Sequence, residues 1–444
     1  MEEKNTNKLG VMPIPKLLIT MAVPLILSMM VQSLYSMVDS MWVARVSETA
    51  LTAVTLCYPA QNVLMAFAVG TGVGVSSFLS RSLGEQNPEQ ANATAEHAIF
   101  LWAFWSIIFA TIGLTCGKAF LSFQTQDEEI INYGTQYFRI CLGMSFGAFG
   151  QLTCERLLQS TGRTVETMVM QVTGAVVNMI LDPIFIFGLD LGVIGAGYAT
   201  VIGQCTAASI GLFLNITRNE DIRIKMKEFR LQKDIIKGIY QVGFPTTIMI
   251  SVNSFISLCM NLILIGFTST ATAVFGIYYK LQDFFFMPLY GIKNALIPII
   301  AYNYGAKQRQ RISDSIKLAL KIVMCMMVVG SFVFFTFPSQ LLGFFDAGEH
   351  MLEIGVPALK VISMNFPFAG LAIALSAALD ATGRGKESLT CSMVRQLGTL
   401  LPAAYLLSLL GNVNYVWFAF PMAEFTGSIL TVYFVRKMFK NLEI

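Results

Sequence analysis

The sequence has little charge and almost no histidine. Only 13% of its 444 residues are Asp, Glu, Lys or Arg, whereas soluble domains carry about 25%. The two histidines, His97 and His350, are far apart in the chain, which argues against a histidine-based metal or catalytic cluster. The eight cysteines are scattered singly without a CxxC pair, so neither disulfides nor cysteine metal sites are expected. The net charge of +3 gives no indication of nucleic-acid binding.

The sequence also lacks a nucleotide-binding loop. The GTGVG segment at 70–74 has no strand–turn–helix context, and close helix packing explains it better. In the segment 383–387, Lys386 is followed by Glu387 where a P-loop needs Ser or Thr. Without an ATPase motif, any transport would be secondary. No nucleophile–base or metal-ligand arrangement stands out, so we expect neither an enzyme nor a bound cofactor.

Hydrophobic residues dominate the chain, at 55% of the composition. Apolar runs of about 20–28 residues, separated by polar turns, predict an all-α polytopic membrane protein with twelve transmembrane helices. The first run is too long for the core of a signal peptide, so we expect it to be retained. The predicted spans are 17–43, 50–79, 92–117, 133–158, 164–188, 192–217, 238–266, 271–300, 314–337, 353–380, 388–410 and 414–437.

The longest polar stretch, 218–238, divides the chain in two. We expect a six-helix bundle at 1–217, a cytoplasmic linker at 218–237 and a second six-helix bundle at 238–444. Lys and Arg are concentrated in the linker and in the loops that follow even-numbered spans. The positive-inside rule therefore predicts that both termini are cytoplasmic.

The two halves repeat at a constant offset of 221 residues, which predicts two pseudo-symmetric bundles. Because each repeat holds an even number of spans, an axis along the membrane normal relates them, as in one known transporter plan. The acids are not repeated, since the same shift pairs Asp39 with Met260 and Asp182 with Ala403. We therefore expect ion chemistry in the first half. The matching pairs include Pro24 and Pro245, Tyr58 and Tyr279, Gln61 and Gln282, and Gly84 and Gly305.

Polar residues follow helical spacing in the first half. Gln32, Ser36 and Asp39 share one face of the first span, and Asn178 and Asp182 share a face of the fifth. A carboxylate in a span costs roughly 2.5–3.5 kcal/mol, so such acids are seldom idle. We assign the two acids and Asn178 to a cation-coupling site, and Gln32 and Ser36 to a substrate cavity.

Three further residues are candidates for the same site. Tyr137 and Glu155 lie on one face of the fourth span, roughly 27 Å apart if that helix is straight, at about 1.5 Å per residue. Glu155 could belong to the ion site or to the substrate cavity. Thr200 begins the polar face of the sixth span.

Two coupling ions fit this set of residues. The buried carboxyls could load and release H⁺. Alternatively, Na⁺ could bind to oxygens of the acids, of Asn and Thr side chains, and of carbonyls freed beside Pro183. The simpler interpretation is that the acids only hold helices together. The residues that could bind Na⁺ are Asp39, Asn178, Asp182 and Thr200.

The second half offers weaker candidates for a substrate cavity. Lys280 and Asp283, three residues apart in the eighth span, are either a local ion pair or cavity charges. Phe284 and Met287 belong to a dense aromatic and Met patch, and such residues suit adaptable pockets for organic cations. Glu424 in the twelfth span could attract a cationic substrate or contact another helix.

Three segments carry a family resemblance that covers essentially the whole chain. GAVVNMILDPIFIFGLDLGVIGAGYAT, at 174–200, resembles the fifth and sixth helices of the multidrug and toxic compound extrusion (MATE) family. AVPLILSMMVQSLYSMVDSMWVARV resembles its first helix, and ALIPIIAYNYGAKQ its eighth helix and the following loop. CERLLQSTG and the LDP motif resemble the MepA-like bacterial branch.

The resemblance implies a V-shaped fold of two bundles and a cation-driven export activity. Branches that place coupling acids in the seventh and tenth helices are not matched, since Asn253 and its neighbours in the seventh span are uncharged. Glu155 matches the MepA-like branch. The family's ion-site residues carry over to positions that match in type, namely Asp39, Tyr137, Asn178, Asp182 and Thr200.

We expect a monomeric antiporter in a bacterial plasma membrane that exports hydrophobic, often cationic, organic compounds in exchange for H⁺ or Na⁺. Its substrate cavity would be a cleft between the bundles. One alternative is a flippase for lipid-linked saccharide, which would need a strongly basic cavity to bind the pyrophosphate. Another is a ligand-sensing membrane protein without net transport, although no signalling domain is attached.

Overall fold

The computed structural model describes residues 7–345 and 348–441. Within those ranges the regular structure is helical, without a strand. The chain ends at 1–6 and 442–444, on which the predicted cytoplasmic termini fall, lie outside the described residues.

Eight α-helices form the first half, and a π-helical turn at Ile184–Gly188 follows the seventh. The linker contains a short 3₁₀ turn at Met226–Glu228. The helices are α1 (Lys8–Val11), α2 (Ile14–Ala44), α3 (Glu48–Gly84), α4 (Pro88–Ser122), α5 (Glu128–Gly143), α6 (Phe146–Ser160), α7 (Thr164–Pro183) and α8 (Val193–Thr217).

The second half has ten α-helices and a π-helical segment at Val394–Leu400 between α15 and α16. The helices are α9 (Lys233–Ile265), α10 (Ser269–Gly305), α11 (Arg309–Thr336), α12 (Pro338–Gly343), α13 (Glu349–Ser363), α14 (Phe366–Ala381), α15 (Gly385–Met393), α16 (Leu401–Ser408), α17 (Val413–Val416) and α18 (Ala419–Lys440).

The chain spans the membrane as two six-helix bundles, but not every span is one straight helix. Nine helices in the described ranges are long and apolar enough to cross a bilayer, and α13 with α14, bent by 46°, makes a tenth span. Pro367 in the first turn of α14 has no N–H to continue α13. The two remaining predicted spans are broken, the fourth between α5 and α6 and the eleventh by its π-helical segment.

The internal repeat extends to the backbone. Helices α3 and α10 both have 37 residues, and their first residues, 48 and 269, differ by 221. Residues with a left-handed backbone recur at the same offset, so the duplicated turns share one geometry. The pairs, with their φ angles, are Gln86 (55°) with Lys307 (56°), Gly162 (85°) with Gly383 (77°), and Asp190 (53°) with Gly411 (75°).

The halves touch at the end of the molecule where α3 and α10 terminate, which we call the closed end. A Cβ at Gly84 would lie 1.9 Å from the carbonyl oxygen of Tyr302, and one at Gly305 would lie 2.2 Å from that of Arg81. Only glycine permits so close a contact of the two backbones. The loops at this end are those in which the sequence concentrates Lys and Arg.

Helix α3 also packs along α9 through its glycine-rich segment. A Cβ at Gly74 would lie 2.1 Å from the carbonyl oxygen of Ile239. The hydroxyl of Ser77 donates to the carbonyl oxygen of Asp380 at 2.8 Å. The prediction that the segment 70–74 serves close helix packing is confirmed.

The short helix α1 lies between the halves at the closed end. Asn7 Nδ2 donates to the carbonyl oxygen of Thr161 in the first half (3.2 Å). From the second half, Arg311 Nη2 donates to the carbonyl oxygens of Leu9 (3.0 Å) and Met12 (2.8 Å). Leu9 is fully buried in the core of the second half. The start of the described chain therefore contributes to the contact between the halves.

Candidate functional site

Each half contains a cavity with polar side chains in its lining, on the far side of the closed end. The first-half cavity has a volume of about 290 Å³ and the second-half cavity of about 510 Å³. Both are lined by Asn62 of α3, which therefore lies between them. On α3 the lining residues end at Met65, before the segment that packs on the other half. The halves are thus closed below both cavities.

The first-half cavity is lined by α2, α3, α5, α6, α7 and α8. It brings together residues that are up to 172 positions apart (Gln32 to Gln204). Asp182 is fully buried and lies next to the lining residue Asn178. The predicted residues that line this cavity are Gln32, Ser36, Asp39, Tyr137, Glu155, Asn178 and Thr200.

Asn178 connects Asp182 to Thr200. Its amide satisfies both of its polar atoms when Nδ2 donates to Asp182 Oδ2 (3.3 Å) and Oδ1 accepts from the backbone nitrogen (3.0 Å) and hydroxyl (3.3 Å) of Thr200. The opposite orientation, with Nδ2 donating to Thr200 Oγ1, leaves the amide oxygen facing only acceptors. Pro183 ends α7 directly after the acid, and the π-helical turn follows. A proline lacks the N–H that would continue the α-helix.

The two aspartates have oxygens available for a ligand. Among the described residues, neither Asp39 Oδ1 nor Asp182 Oδ1 has a hydrogen-bond partner, and both atoms are buried. The described lining of the cavity contains Asp39 and Glu155 but no Lys or Arg. Glu155 has Arg156 beside it, but among the described residues Asp39 and Asp182 form no ion pair. A buried carboxylate without a counter-charge is costly, so the part of the cavity at these aspartates is suited to take up a cation.

Glu155 lies at the part of the cavity formed by α6 and α7. Its Oε1 accepts from Gln159 Nε2 (2.8 Å), and its Oε2 accepts from Gln171 Nε2 (2.5 Å). Because α5 and α6 are separate helices, the separation of roughly 27 Å that a straight helix would give does not apply to Tyr137 and Glu155, although both side chains line the cavity. Along α7, Gln171 is seven residues from Asn178, about 10 Å. Glu155 therefore lies nearer to the closed end than the Asp182 site.

The second-half cavity separates the predicted residues into two groups. Asp283 and Glu424 line it, whereas Lys280, Phe284 and Met287 are not among its lining residues. The difference follows from helical geometry, since Gln282, Phe286 and Tyr290 share the lining face of α10 with Asp283 at its edge. Positions 280, 284 and 287 lie on the adjacent face, beyond Asp283. Phe284 is 63% exposed, on the surface of the bundle.

The second-half cavity also contains an ion pair that the sequence interpretation missed. Arg395 Nη1 donates to Glu424 Oε1 at 2.5 Å. Next to it, Gln396 Nε2 donates to Asn253 Oδ1, also at 2.5 Å. Arg395 and Gln396 lie in the π-helical segment. The detectable signal was a single Arg within the eleventh predicted span, but nothing local to it indicated a partner on α18.

The charges of the second-half cavity do not cancel. Its described lining contains two acids, Asp283 and Glu424, and one base, Arg395, which is paired with Glu424. Several tyrosines stand around these charges. They include Tyr278, Tyr279 and Tyr290. Aromatic faces and an excess acid are the groups that attract organic cations in water-poor sites.

Comparison with protein families gives one result for both halves. A family model described as MatE matches residues 24–184 and 245–406. The two matches begin 221 residues apart (245 − 24), which is the offset of the internal repeat.

Two curated relatives have lengths similar to this chain. Multidrug export protein MepA of Staphylococcus haemolyticus (strain JCSC1435) is 24% identical over 431 residues, covering 97% of this chain and 95% of the relative. Multidrug export protein MepA of Staphylococcus aureus (strain MSSA476) is 23% identical over 428 residues, covering 96% of this chain and 94% of the relative.

Solved structures have the same fold. The outward-facing conformation of a multidrug resistance MATE family transporter of the MOP superfamily superimposes with a TM-score of 0.93, at 23% identity and with 100% of both chains covered. A MATE structure in complex with MaL6 gives a TM-score of 0.93, at 23% identity and with 99% of both chains covered. The twelve-span, two-bundle architecture predicted from the sequence is confirmed.

Proposed function

This chain belongs to the MatE family, and from that premise we propose that it is a secondary active exporter of hydrophobic organic cations, driven by an ion gradient. Relatives that match over nearly the whole chain are named multidrug export proteins. The location would be the plasma membrane of a bacterium, with the cation-rich closed end in the cytoplasm as the positive-inside rule requires.

The observation that carries the proposal is the pair of unpartnered carboxylate oxygens, Asp39 Oδ1 and Asp182 Oδ1, in and beside a cavity without a basic lining residue. Such a site is stabilised when it takes up a cation. The ion would therefore load in the first half. The repeat-equivalent positions are Met260 and Ala403, which carry no acid. This difference supports ion binding in the first half and substrate binding in the second.

The substrate would bind between the halves and in the second-half cavity. That cavity is larger, combines Tyr faces with an excess acid, and meets the first at Asn62. With the closed end in the cytoplasm, both cavities would face outward in this conformation. A second conformation, open at the closed end, would complete alternating access, because ion and substrate would favour different states.

The hydrogen bonds of Asn178 fit H⁺ as the coupling ion. With no metal ion bound, its amide satisfies both polar atoms when the nitrogen faces Asp182 and the oxygen faces Thr200, and uptake of a proton leaves that arrangement in place. Hard cations take several oxygen ligands, whereas a proton needs only the unpaired Oδ1 of Asp182 or Asp39. We propose H⁺, with Na⁺ as the alternative that the test below separates.

The test is transport by the purified protein in lipid vesicles, with a fluorescent lipophilic monocation and with H⁺ and Na⁺ gradients imposed separately. Dye movement should follow the H⁺ gradient. It should be lost in Asp182→Asn, which removes the ionisable group at nearly constant shape. The matched control is Asp190→Asn, an exposed loop acid eight residues away, which should transport normally.

Three outcomes would contradict the proposal in different ways. Normal transport by Asp182→Asn would overturn the ion site. Dye movement under the Na⁺ gradient alone would overturn H⁺ coupling. No dye movement under either gradient would overturn the exporter proposal and favour the flippase or the ligand sensor. A phosphate-bearing lipid suits the second-half cavity less well, since its base Arg395 is already paired with Glu424.

A further inference from the structure

A chain of buried polar side chains connects the first-half cavity to the second half. It begins at Gln171 and Gln159, which both donate to Glu155 (2.5 and 2.8 Å). Arg156 Nη1 then donates to Gln159 Oε1 (3.0 Å) and to Asn294 Oδ1 (3.2 Å). The first four residues belong to α6 and α7, whereas Asn294 is on α10 of the other half. The Arg156–Asn294 contact is therefore a hydrogen bond between the halves.

The central members of this chain are shielded from solvent. Glu155, Arg156 and Gln159 are 4%, 5% and 1% exposed. The position of Arg156 is confined by Gly72, where a Cβ would lie 2.7 Å from the Cγ of the arginine. A guanidinium is always charged and is costly to bury without a counter-charge. The groups that surround the Arg156 guanidinium therefore affect how stable this conformation is.

Glu155 is the counter-charge available to Arg156. Glu155 Oε1 lies 3.9 Å from Arg156 Nη2, and no other acid in the described ranges is within 4.0 Å of this guanidinium. The neighbouring base on α10, Lys293, has its own partner, Asp380, at 3.2 Å. Glu155 thus faces the cavity on one side and balances the arginine on the other.

We propose that Arg156 is a positioning residue that couples cation uptake at Glu155 to the contact between the halves. When Glu155 is a free carboxylate, Arg156 is balanced and donates to Asn294. When Glu155 takes up a cation, the buried charge of Arg156 is left uncompensated, so the conformation that holds Arg156 against Asn294 is destabilised. The proposal rests on the proposed function, because it assigns a step of the exchange cycle. Loading from the outward-facing cavity would loosen the closed end, as an antiporter requires.

Hydrogen–deuterium exchange of the full-length protein in detergent tests the link without requiring transport. The readout is exchange in peptides of the contact between α3 and α9, at 70–84 and 239–247. Asn294→Ala and Glu155→Gln should each raise exchange there by roughly tenfold or more, the effect of losing a hydrogen bond to a charged group. Their double variant should show little further increase, because both changes break one link.

A rescue variant distinguishes coupling from simple loss of structure. Asn294→Asp places a carboxylate directly against Arg156, so exchange at the contact should fall to the wild-type level or below. Combined with Glu155→Gln, it should cancel the increase that Glu155→Gln causes alone. The matched control is Asn215→Ala. This change removes an amide that is more deeply buried than Asn294 and whose bonds, to the carbonyl oxygens of Cys154 and Gly211, stay within the first half.

Transport by the same variants supplies a second readout. Asn294→Ala should lower the maximal rate of gradient-driven dye movement and leave its apparent KM unchanged, since no cavity residue is altered. Three results would overturn the link: unchanged exchange in Asn294→Ala, additive effects in the double variant, or raised exchange in the rescue variant. If wild-type protein moves no dye but the exchange pattern holds, the proposed function fails and the link stands.

Discussion

Arg395 and Glu424 form a hydrogen-bonded ion pair, 2.5 Å from Nη1 to Oε1, between a π-helical segment and α18. Their side chains are 25% and 14% exposed. Because the pair is largely buried, neither charge is well compensated by water once the other is removed.

We predict that Glu424→Met destabilises the protein by up to about 3–5 kcal/mol, since it leaves a guanidinium without its partner. Arg395→Met should do the same. The double variant should be more stable than either single variant, because it buries no unpaired charge. Thermal unfolding midpoints in detergent measure the stability of the two single variants and of the double variant. A double variant whose loss equals the sum of the single losses would contradict this account.

The backbone contact at the closed end gives a second prediction. Gly84→Ala places a methyl group 1.9 Å from the carbonyl oxygen of Tyr302, so the helices must separate. Overpacking of this kind costs roughly 1–3 kcal/mol. Exchange in peptides at 78–88 should rise and gradient-driven transport should fall. The matched control is Gly276→Ala on α10, where nothing lies within 4 Å. Equal behaviour of the two variants would argue against the close contact.

The loop at 218–232 gives a pH-dependent prediction. Burial raises the pKa of Asp221 above its ordinary value of 3.8, against a hydrogen bond from Asn7 and the charges of Arg163 and Lys8, which lower it. Since the folded state binds this proton more tightly, the contribution of Asp221 to stability is fully present below its unfolded pKa. It is lost as the pH rises through its folded pKa.

Asp221→Asn should therefore raise the unfolding midpoint at about pH 8, with a gain that shrinks towards about pH 4. Thermal scans at several pH values measure the difference between variant and wild type. Glu220→Gln, which neutralises the adjacent exposed acid, should show a smaller and flatter difference. A gain that grows on acidification would reverse the sign and contradict the prediction.

The helix between the halves gives a fourth prediction. Leu9 is fully buried, whereas Val11 in the same turn is 58% exposed. Leu9→Ala should lower the free energy of unfolding by about 2–5 kcal/mol, as is usual when a buried leucine is truncated. Val11→Ala should be close to neutral. Equal unfolding midpoints for the two variants would show that helix α1 is not part of the core in solution.

Much of the fold could be predicted because hydrophobic length and the repeat are local or periodic properties of the sequence. Apolar runs located the spans, and the offset of 221 found both the duplicated halves and the equivalence of Gly84 with Gly305. The broken spans were not predicted. A π-helix depends on which backbone carbonyls each N–H reaches, and Pro402, which follows the segment around Arg395, does not by itself specify that geometry.

Part of the candidate site could likewise be predicted from local spacing, and part could not. Helical spacing placed Asn178 with Asp182 on one face and Ser36 with Asp39 on another, because residues three or four apart share a face. The contacts of Arg156 with Asn294 and of Arg395 with Glu424 join side chains 138 and 29 positions apart. Such pairs are decided by how helices pack, which one sequence does not encode as a pattern.

The lengths of α3 and α10 have a consequence for the closed end. With 37 residues each, both helices are about 55 Å long, against a hydrocarbon layer of about 30 Å. We expect part of the overhang at the closed end, where Arg81 forms an exposed ion pair with Glu85 at 2.8 Å. The seal at Gly84 and Gly305 would therefore lie in the hydrated headgroup layer. When it parts, the freed backbone groups meet water instead of lipid tails, so opening needs no dehydrated intermediate.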